Sequence, residues 1–293
     1  MKTILLTGAT GFLGSHLLDA LLIAQYNVII TKRTKSNCWR ISDHLDSITS
    51  YDVDRIALKE IFINHQIDIV IHTANCYGRN GESDFEVFKT NVLFSMDLLE
   101  CAKKFNTDSF FNTDSLQYQY LNSYTLTKKQ FVEWGKRYSI SSKLKFINMK
   151  LEHVYGPKDD ESKFISWFIR QLKEEVPEIK LTAGTQKRDF IHVDDVVSAY
   201  LLLLEKRVVL NGFVEFEVGT GQSIAIKDFL YWILNVYEEK YSKKVKSKLI
   251  FGSIPFRDGE PMEIKANLET FKDIGIRFYS TSSMSNLVLK TML

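Results

Sequence analysis

Short unbroken apolar runs alternate with longer amphipathic stretches through the first half of the chain. Ile4–Thr7 is such a run, and Phe12–Ala24 follows with Leu13, Leu17 and Leu21 in the stripe of a helix packed on a sheet. Asn27–Arg33 and Asp68–Ala74 are predicted strands, with a helix at Leu58–His65 between them. Asp84–Phe105 is predicted as one long helix, Ser109–Thr113 as a strand, Tyr124–Tyr138 as a helix and Leu144–Leu151 as a strand. Apolar strands joined by helices require a parallel sheet covered on both faces. The expected fold class is α/β, with a doubly wound parallel sheet.

Beyond Leu151 the pattern changes. Gly156-Pro157 is a break, a helix is predicted around Phe164–Lys173 and a short strand near Ile179–Thr182. Lys187–Val193 has strand character, Asp194–Glu205 is a helix, Phe213–Val218 a strand, Ile226–Tyr237 a helix and Ser247–Phe251 a strand. We expect residues 1–151 to form one domain, with late elements from about 187–220 returning to it. Residues 152–293 are expected to form mainly a smaller α+β lobe.

Charge and composition add exclusions. The 38 Lys and Arg nearly balance the 36 Asp and Glu, a formal net charge of +2, which argues against a dedicated nucleic-acid binder. The 3 cysteines are widely spaced and give neither a disulfide framework nor a C-x-x-C pair. The 6 histidines show no metal-ligand spacing, so no metal is expected. Ile4–Leu6 is too short for a signal-peptide core, and Asp194 and Asp195 interrupt the longest later apolar run. A cytoplasmic protein with no membrane partner is expected. The lysines from Lys240 to Lys248 adjoin Glu238 and Glu239 and read as a solvated helix end. Phe131, Trp134 and Tyr138 read as core or subunit interface, and Asp194 or Asp195 as a helix cap rather than a metal ligand beside His192.

The first candidate chemistry is TGATGFLG at residues 7–14. Between a strand and a helix, Gly8 permits a tight turn, Gly11 lets the backbone approach a pyrophosphate, and Gly14 lets the helix pack close to the sheet. The helix N-terminus then offers N–H groups to the phosphate. The alternative is a glycine-rich turn with no ligand. The second strand ends in Lys32-Arg33, where a carboxylate would select NAD, and two cations suit the 2′-phosphate of NADP(H) instead. Both cations can equally be solvated. Asp52 either accepts from an adenine amino group or caps a helix.

The second is Tyr124-x-x-x-Lys128, which places a phenol and an amine on one face of a helix. A neighbouring ammonium is expected to lower the phenol pKa, so that Tyr124 can exchange a proton with a carbonyl or alcohol oxygen. The spacing alone is a weak signal, and its value comes from its position after the strand ending Asn112-Thr113-Asp114-Ser115.

Taken in order, TGATGFLG, DIVIHTA, the Thr113 segment, Tyr124-x-x-x-Lys128, NMKLEHVYGP and RDFIHVDDV resemble the extended short-chain dehydrogenase/reductases acting on nucleotide sugars. The resemblance runs from residue 1 to about 262 and is closest to the family's reductases of 4-keto deoxysugars. It implies a Rossmann-like sheet with a C-terminal substrate lobe. It also implies NADPH-dependent reduction of a substrate like CDP-4-keto-3,6-dideoxyglucose, in deoxysugar and O-antigen biosynthesis, with NAD(H) less favoured. Tyr124 would be the acid/base, Lys128 would hold the nicotinamide ribose, and Thr113 would polarise the substrate carbonyl. Gly8, Thr10, Gly11, Phe12, Leu13, Gly14, Lys32, Arg33, Asp52, Val53, Thr73, Ala74, Asn91 and His153 would serve the cofactor. Ser115, Arg188 and Arg257 would serve the substrate, the arginines facing its diphosphate unless each forms only a salt bridge. A homodimer through the Asp84–Phe105 and Tyr124–Tyr138 helices is implied as well.

Two departures from the family pattern matter. Family dehydratases carry Asp-Glu after the catalytic threonine, whereas Asp114-Ser115 here lacks the glutamate that eliminates water. The interval from Thr113 to Tyr124 is also short, trimming the loop that frames the sugar. The rival readings are a 4-epimerase with tightly held NAD and a non-catalytic dinucleotide-sensing protein.

Overall fold

The computed structural model describes residues 1–257, 259–276 and 284–292. In chain order the first elements are β1 (Thr3–Thr7), α1 (Phe12–Ile23), β2 (Asn27–Lys32), β3 (Thr49–Asp52), α2 (Leu58–Asn64) and β4 (Ile69–His72). Next come α3 (Asp84–Phe88), α4 (Phe94–Lys104), β5 (Ser109–Ser115), α5 (Ser123–Ile140), β6 (Lys145–Leu151), β7 (His153–Tyr155), α6 (Phe164–Lys173) and β8 (Glu178–Lys180). The chain ends through β9 (Lys187–Arg188), β10 (Phe190–His192), α7 (Val193–Lys206), β11 (Phe213–Val218), β12 (Ile224–Ala225), α8 (Ile226–Tyr241), β13 (Lys248–Ile250), α9 (Glu269–Asp273) and α10 (Met284–Thr291).

A seven-stranded sheet runs β11-β6-β5-β4-β1-β2-β3. Its neighbours from β6 to β3 pair in parallel. Ile4–Leu6, Val28–Ile30, Ile69–Ile71 and Phe110-Phe111 are buried on both faces, as a sheet covered by helices requires. The chain divides into two compact units, Met1–Leu151 with Val197–Phe216, and Glu152–Val196 with Glu217–Leu293. The segment returning to the first unit is therefore 197–216, and 187–196 belongs to the second. There, β10 pairs with β7, β12 with β9 and β13 with β8. Phe168, Ile169 and Leu172 of α6, Phe229 and Ile233 of α8, and Val288 of α10 share its core.

Three departures from the sequence reading have physical causes. Strand β3, TSYD, has no apolar alternation; it forms because the polar edge of the sheet needs little burial. The helix expected over Asp84–Phe105 contains a turn of π-helix at Lys89–Leu93, with Asn91 at its centre. The strand expected over Lys187–Val193 is broken at Asp189. Its buried carboxylate accepts from the backbone N–H groups of Thr220 (2.8 Å), Gly221 (2.8 Å) and Ala266 (3.2 Å). The basic run is partly paired, Lys243 with Glu175 and Lys244 with Glu238. No helix among the described residues is long and apolar enough to cross a membrane, and no three His, Cys, Asp or Glu there could hold a metal ion.

Candidate active site

The turn between β1 and α1 is built around two glycines. Gly8 has φ +73°, and a Cβ there would lie 2.6 Å from the backbone nitrogen of Ala74 and from Thr73 Oγ1. A Cβ on Gly14 would lie 2.1 Å from the Gly8 carbonyl oxygen. Thr73 braces the turn by donating from Oγ1 to the Thr7 carbonyl (2.8 Å), and the Ala74 N–H donates to Thr7 Oγ1 (3.3 Å). Gly11, the N-cap of α1, brings no side chain to the first turn, which carries no carboxylate. Thr10, Gly11, Phe12 and Leu13 are half-buried along it. A helix start with a glycine cap and no acid fits a dinucleotide phosphate.

The tip of β2 differs from expectation. Lys32 lies opposite Asp52 in register and forms an ion pair with it, so this carboxylate binds an ammonium rather than standing open to an adenine. Nor does Asp52 cap a helix: it ends β3, and half-buried Val53 follows with its N–H on the Lys32 carbonyl (2.9 Å). Of the two expected cations, Arg33 is the exposed one. Sequence reasoning missed Arg40, which stacks on Trp39 at 4.6 Å and donates from Nη1 to the Thr10 carbonyl (3.4 Å). Only the fold brings it back to the phosphate turn.

Tyr124 and Lys128 lie one turn apart on α5, whose start is fixed by a reciprocal cap between Asn122 and Thr125. The expected lowering of the Tyr124 pKa is not what the surroundings give. Burial, then the phenol of Tyr77 and the carboxylate of Asp114, push it well above the ordinary tyrosine value, with Arg79 opposing. Tyr124 is thus held as a protonated phenol. Lys128 is 2% exposed, and burial lowers its ammonium to about 8, with Asp114 opposing and Lys129 adding to the effect.

Asp114 was not singled out by the sequence reading. It is 2% exposed and accepts through Oδ2 from Lys129 Nζ (2.8 Å) and Asn148 Nδ2 (3.1 Å). Its Oδ1 is buried and has no hydrogen-bond partner among the described residues. Thr113, on the opposite face of β5 by strand alternation, has its hydroxyl on Tyr200 Oη (2.7 Å) instead of open to a substrate. Ser115 Oγ accepts from the Gln117 N–H (3.1 Å).

Asn91, expected at the cofactor, is 1% exposed and committed elsewhere. Its Oδ1 accepts from the Cys76 N–H (2.7 Å), and its Nδ2 donates to the Cys76 carbonyl (2.9 Å) and Thr127 Oγ1 (3.0 Å). It ties the loop after β4 to α5, a positioning task.

In the second unit, His153 Nδ1 pairs with buried Glu152 at 2.5 Å. Arg188 is 4% exposed, with Nη2 on Glu260 (2.9 Å) and Nη1 on the Lys187 carbonyl (2.8 Å), so this guanidinium is an ion-paired buried group rather than one open to a diphosphate. Arg257 is exposed, and its N–H donates to the same Glu260 (3.3 Å).

The chain is 38% identical over 282 residues to CDP-abequose synthase of Salmonella typhimurium, covering 93% of this chain and 92% of the relative. It is 27% identical to a putative UDP-glucose 4-epimerase of Methanocaldococcus jannaschii over 77% of this chain and 79% of the relative. Among solved structures, the UDP-N-acetylglucosamine 4-epimerase of Methanobrevibacter ruminantium superposes with a TM-score of 0.84 at 22% identity, covering 99% of this chain and 97% of that one. That likeness establishes the Rossmann-like fold. Residues 4–219 match the model of one family, and the chain belongs to it: the NAD dependent epimerase/dehydratase family.

Proposed function

We propose that this protein is an NADPH-dependent reductase of the 4-keto group of a nucleotide-linked deoxysugar, with CDP-4-keto-3,6-dideoxyglucose the first substrate to test. The observation that carries the reading is the Tyr124–Lys128 face of α5, with Tyr124 held as a protonated phenol, in a chain 38% identical to a CDP-abequose synthase. A neutral phenol suits a reductase, which must protonate an oxygen in every turnover.

The first unit would hold the cofactor at Gly8, Thr10, Gly11, Phe12, Leu13 and Gly14, with Thr73 and Ala74 bracing that turn and Val53 on the adenosine side. Arg33 would meet the 2′-phosphate, and Lys128 the nicotinamide ribose. Bound NADPH supplies the hydride. Tyr124 donates its proton to the carbonyl oxygen, and the Lys128 ammonium stabilises the phenolate that forms. The substrate is assigned to Thr113, Ser115, Arg188 and Arg257, and His153 to the cofactor. For Thr113 and Arg188 this requires exchanging their present partners, Tyr200 and Glu260. Ser115 offers no carboxylate for eliminating water, so dehydratase chemistry is not part of the reading. A homodimer fits Phe85, Leu93 and Trp134, which are exposed along α3, the π-turn and α5, and sedimentation would test it. A cytoplasmic place in O-antigen deoxysugar synthesis belongs to the same reading.

The test is product NMR after incubation of candidate 4-keto sugar nucleotides with NADPH. A C4-reduced sugar is expected from wild type and none from Tyr124→Phe. Failure to turn over CDP, dTDP, UDP and GDP substrates alike would overturn the reading. One observation favours a second reading, a 4-epimerase retaining NAD: the Lys32–Asp52 pair leaves less charge for a 2′-phosphate. Stoichiometric NAD released on denaturing the purified protein would support it.

A further inference from the structure

The loop after β4 carries a second phenol that the reaction as described leaves unused. The Tyr77 ring lies 4.7 Å from that of Tyr124, inclined at 40°, and its phenol is one of the groups that raise the Tyr124 pKa. The loop is held in this place. Asn91 grips both the N–H and the carbonyl of Cys76, the residue before Tyr77. Gly78 then turns the chain with φ +68°, a left-handed conformation costly for other residues. Beyond that turn, Arg79 returns with its guanidinium 5.1 Å from the centre of the Tyr77 ring.

Exposure is graded along this row. Lys128 is 2% exposed, Tyr124 half-buried, Tyr77 39% exposed and Arg79 exposed. The other charged groups acting on the Tyr124–Lys128 pair are Asp114 of β5 and Lys129 of α5, which are hydrogen-bonded to each other. The surface-facing neighbour of Tyr124 is therefore a hydroxyl that both donates and accepts.

The geometry points to Tyr77 as the relay that returns a proton to Tyr124 after each turnover. The inference rests on the reductase reading. Once the Tyr124 O–H proton has gone to the carbonyl oxygen, Tyr124 is a phenolate. The Tyr77 O–H gives its proton to that oxygen across the contact between the two rings, and the transient Tyr77 phenolate beside Arg79 takes a proton from water. The net result is one solvent proton consumed per carbonyl reduced, with no further oxidant or reductant. Tyr77 acts through Tyr124 and is a relay rather than a catalytic residue.

Tyr77→Phe keeps the ring and removes the hydroxyl. Rapid-mixing kinetics should show a first turnover of NADPH oxidation within about twofold of wild type, because Tyr124 begins protonated. Steady-state turnover should fall about tenfold, below the usual contribution of a primary acid or base, with a larger solvent deuterium effect. First and later turnovers slowed equally, a change confined to KM, or no change would overturn the relay. A second readout needs no substrate. With tyrosines carbon-13 labelled at the ring carbon bearing oxygen, the Tyr124 signal, assigned by its loss in Tyr124→Phe, should titrate at lower pH in Tyr77→Phe than in wild type. Identical titrations would overturn the phenol pairing. If none of the candidate sugar nucleotides makes wild type oxidise NADPH, the reductase reading fails, while the titration still reports on the pair.

Discussion

The glycine turn after β1 and the corner where β5 meets α5 both belong to the first unit, yet they are built on different terms. In the turn, each glycine's task is steric: Gly8 supplies a positive φ and leaves room for Thr73 and Ala74, and Gly14 leaves room for the Gly8 carbonyl. At the corner, each residue's chemistry is set by a partner distant in sequence. Burial, then Tyr77 and Asp114, keep Tyr124 protonated, Tyr200 holds Thr113, and Asn91 joins Cys76 to Thr127. Shape can be encoded in one turn of chain, whereas reactivity needs the assembled sheet.

The largest expected effect falls on the corner. Tyr124→Phe should lower turnover by about a hundredfold to ten-thousandfold, the range for a general acid, with NADPH binding by fluorescence unchanged. Loss of NADPH binding in the same variant would mean that the corner shapes the cofactor site and does not simply work beside it.

Lys128 comes next. Its amine sits at about 8 in the fold against an ordinary 10.5. The unfolded chain therefore binds the extra proton between those values, so stability is lowest below pH 8 and recovers as pH rises toward 10.5. The cost at neutral pH is about 3 kcal/mol. Lys128→Met should unfold at higher denaturant than wild type at pH 7, lose activity, and show a smaller advantage by pH 10. A variant no more stable at pH 7 would contradict the burial cost.

In the turn, Gly14→Ala should cost about 3 kcal/mol, because its Cβ meets backbone that cannot move aside. Chemical denaturation checks it, and a neutral outcome would mean that α1 can slide on the sheet.

The smallest contrast lies at the tip of β2. Arg33→Ala should lower kcat/KM for NADPH relative to NADH by about tenfold, the worth of one charge-assisted contact. Lys32→Met, which removes an ammonium already paired with Asp52, should change that ratio by less than about threefold. Equal effects would mean that the ion pair opens when the cofactor binds.

These differences also explain what the sequence could reveal. The parallel sheet was legible because its central strands are apolar on both faces, and TGATGFLG was legible because steric demand leaves a glycine signature. Tyr124 and Lys128 were visible through helical spacing, although the direction in which the Tyr124 pKa moves was not. That direction comes first from burial in the assembled fold and then from Tyr77, which approaches only after Gly78 turns the chain and the π-turn aims Asn91 at Cys76. Asp114 looked like a neighbour of Thr113, and only strand pairing shows that it faces Asn148 and Lys129. Arg188 has the chemistry of a diphosphate ligand, but its partner Glu260 lies 72 residues away, beyond any local pattern.

The central claim is that Tyr124 protonates a sugar carbonyl as a hydride reaches its carbon. Its most direct test uses NADPH carrying deuterium at the transferable position, mixed with CDP-4-keto-3,6-dideoxyglucose, with the product read by NMR. Deuterium is expected at C4 of the reduced sugar with wild type, and no labelled product with Tyr124→Phe. A product without deuterium at C4, or equal labelling by the two proteins, would contradict it.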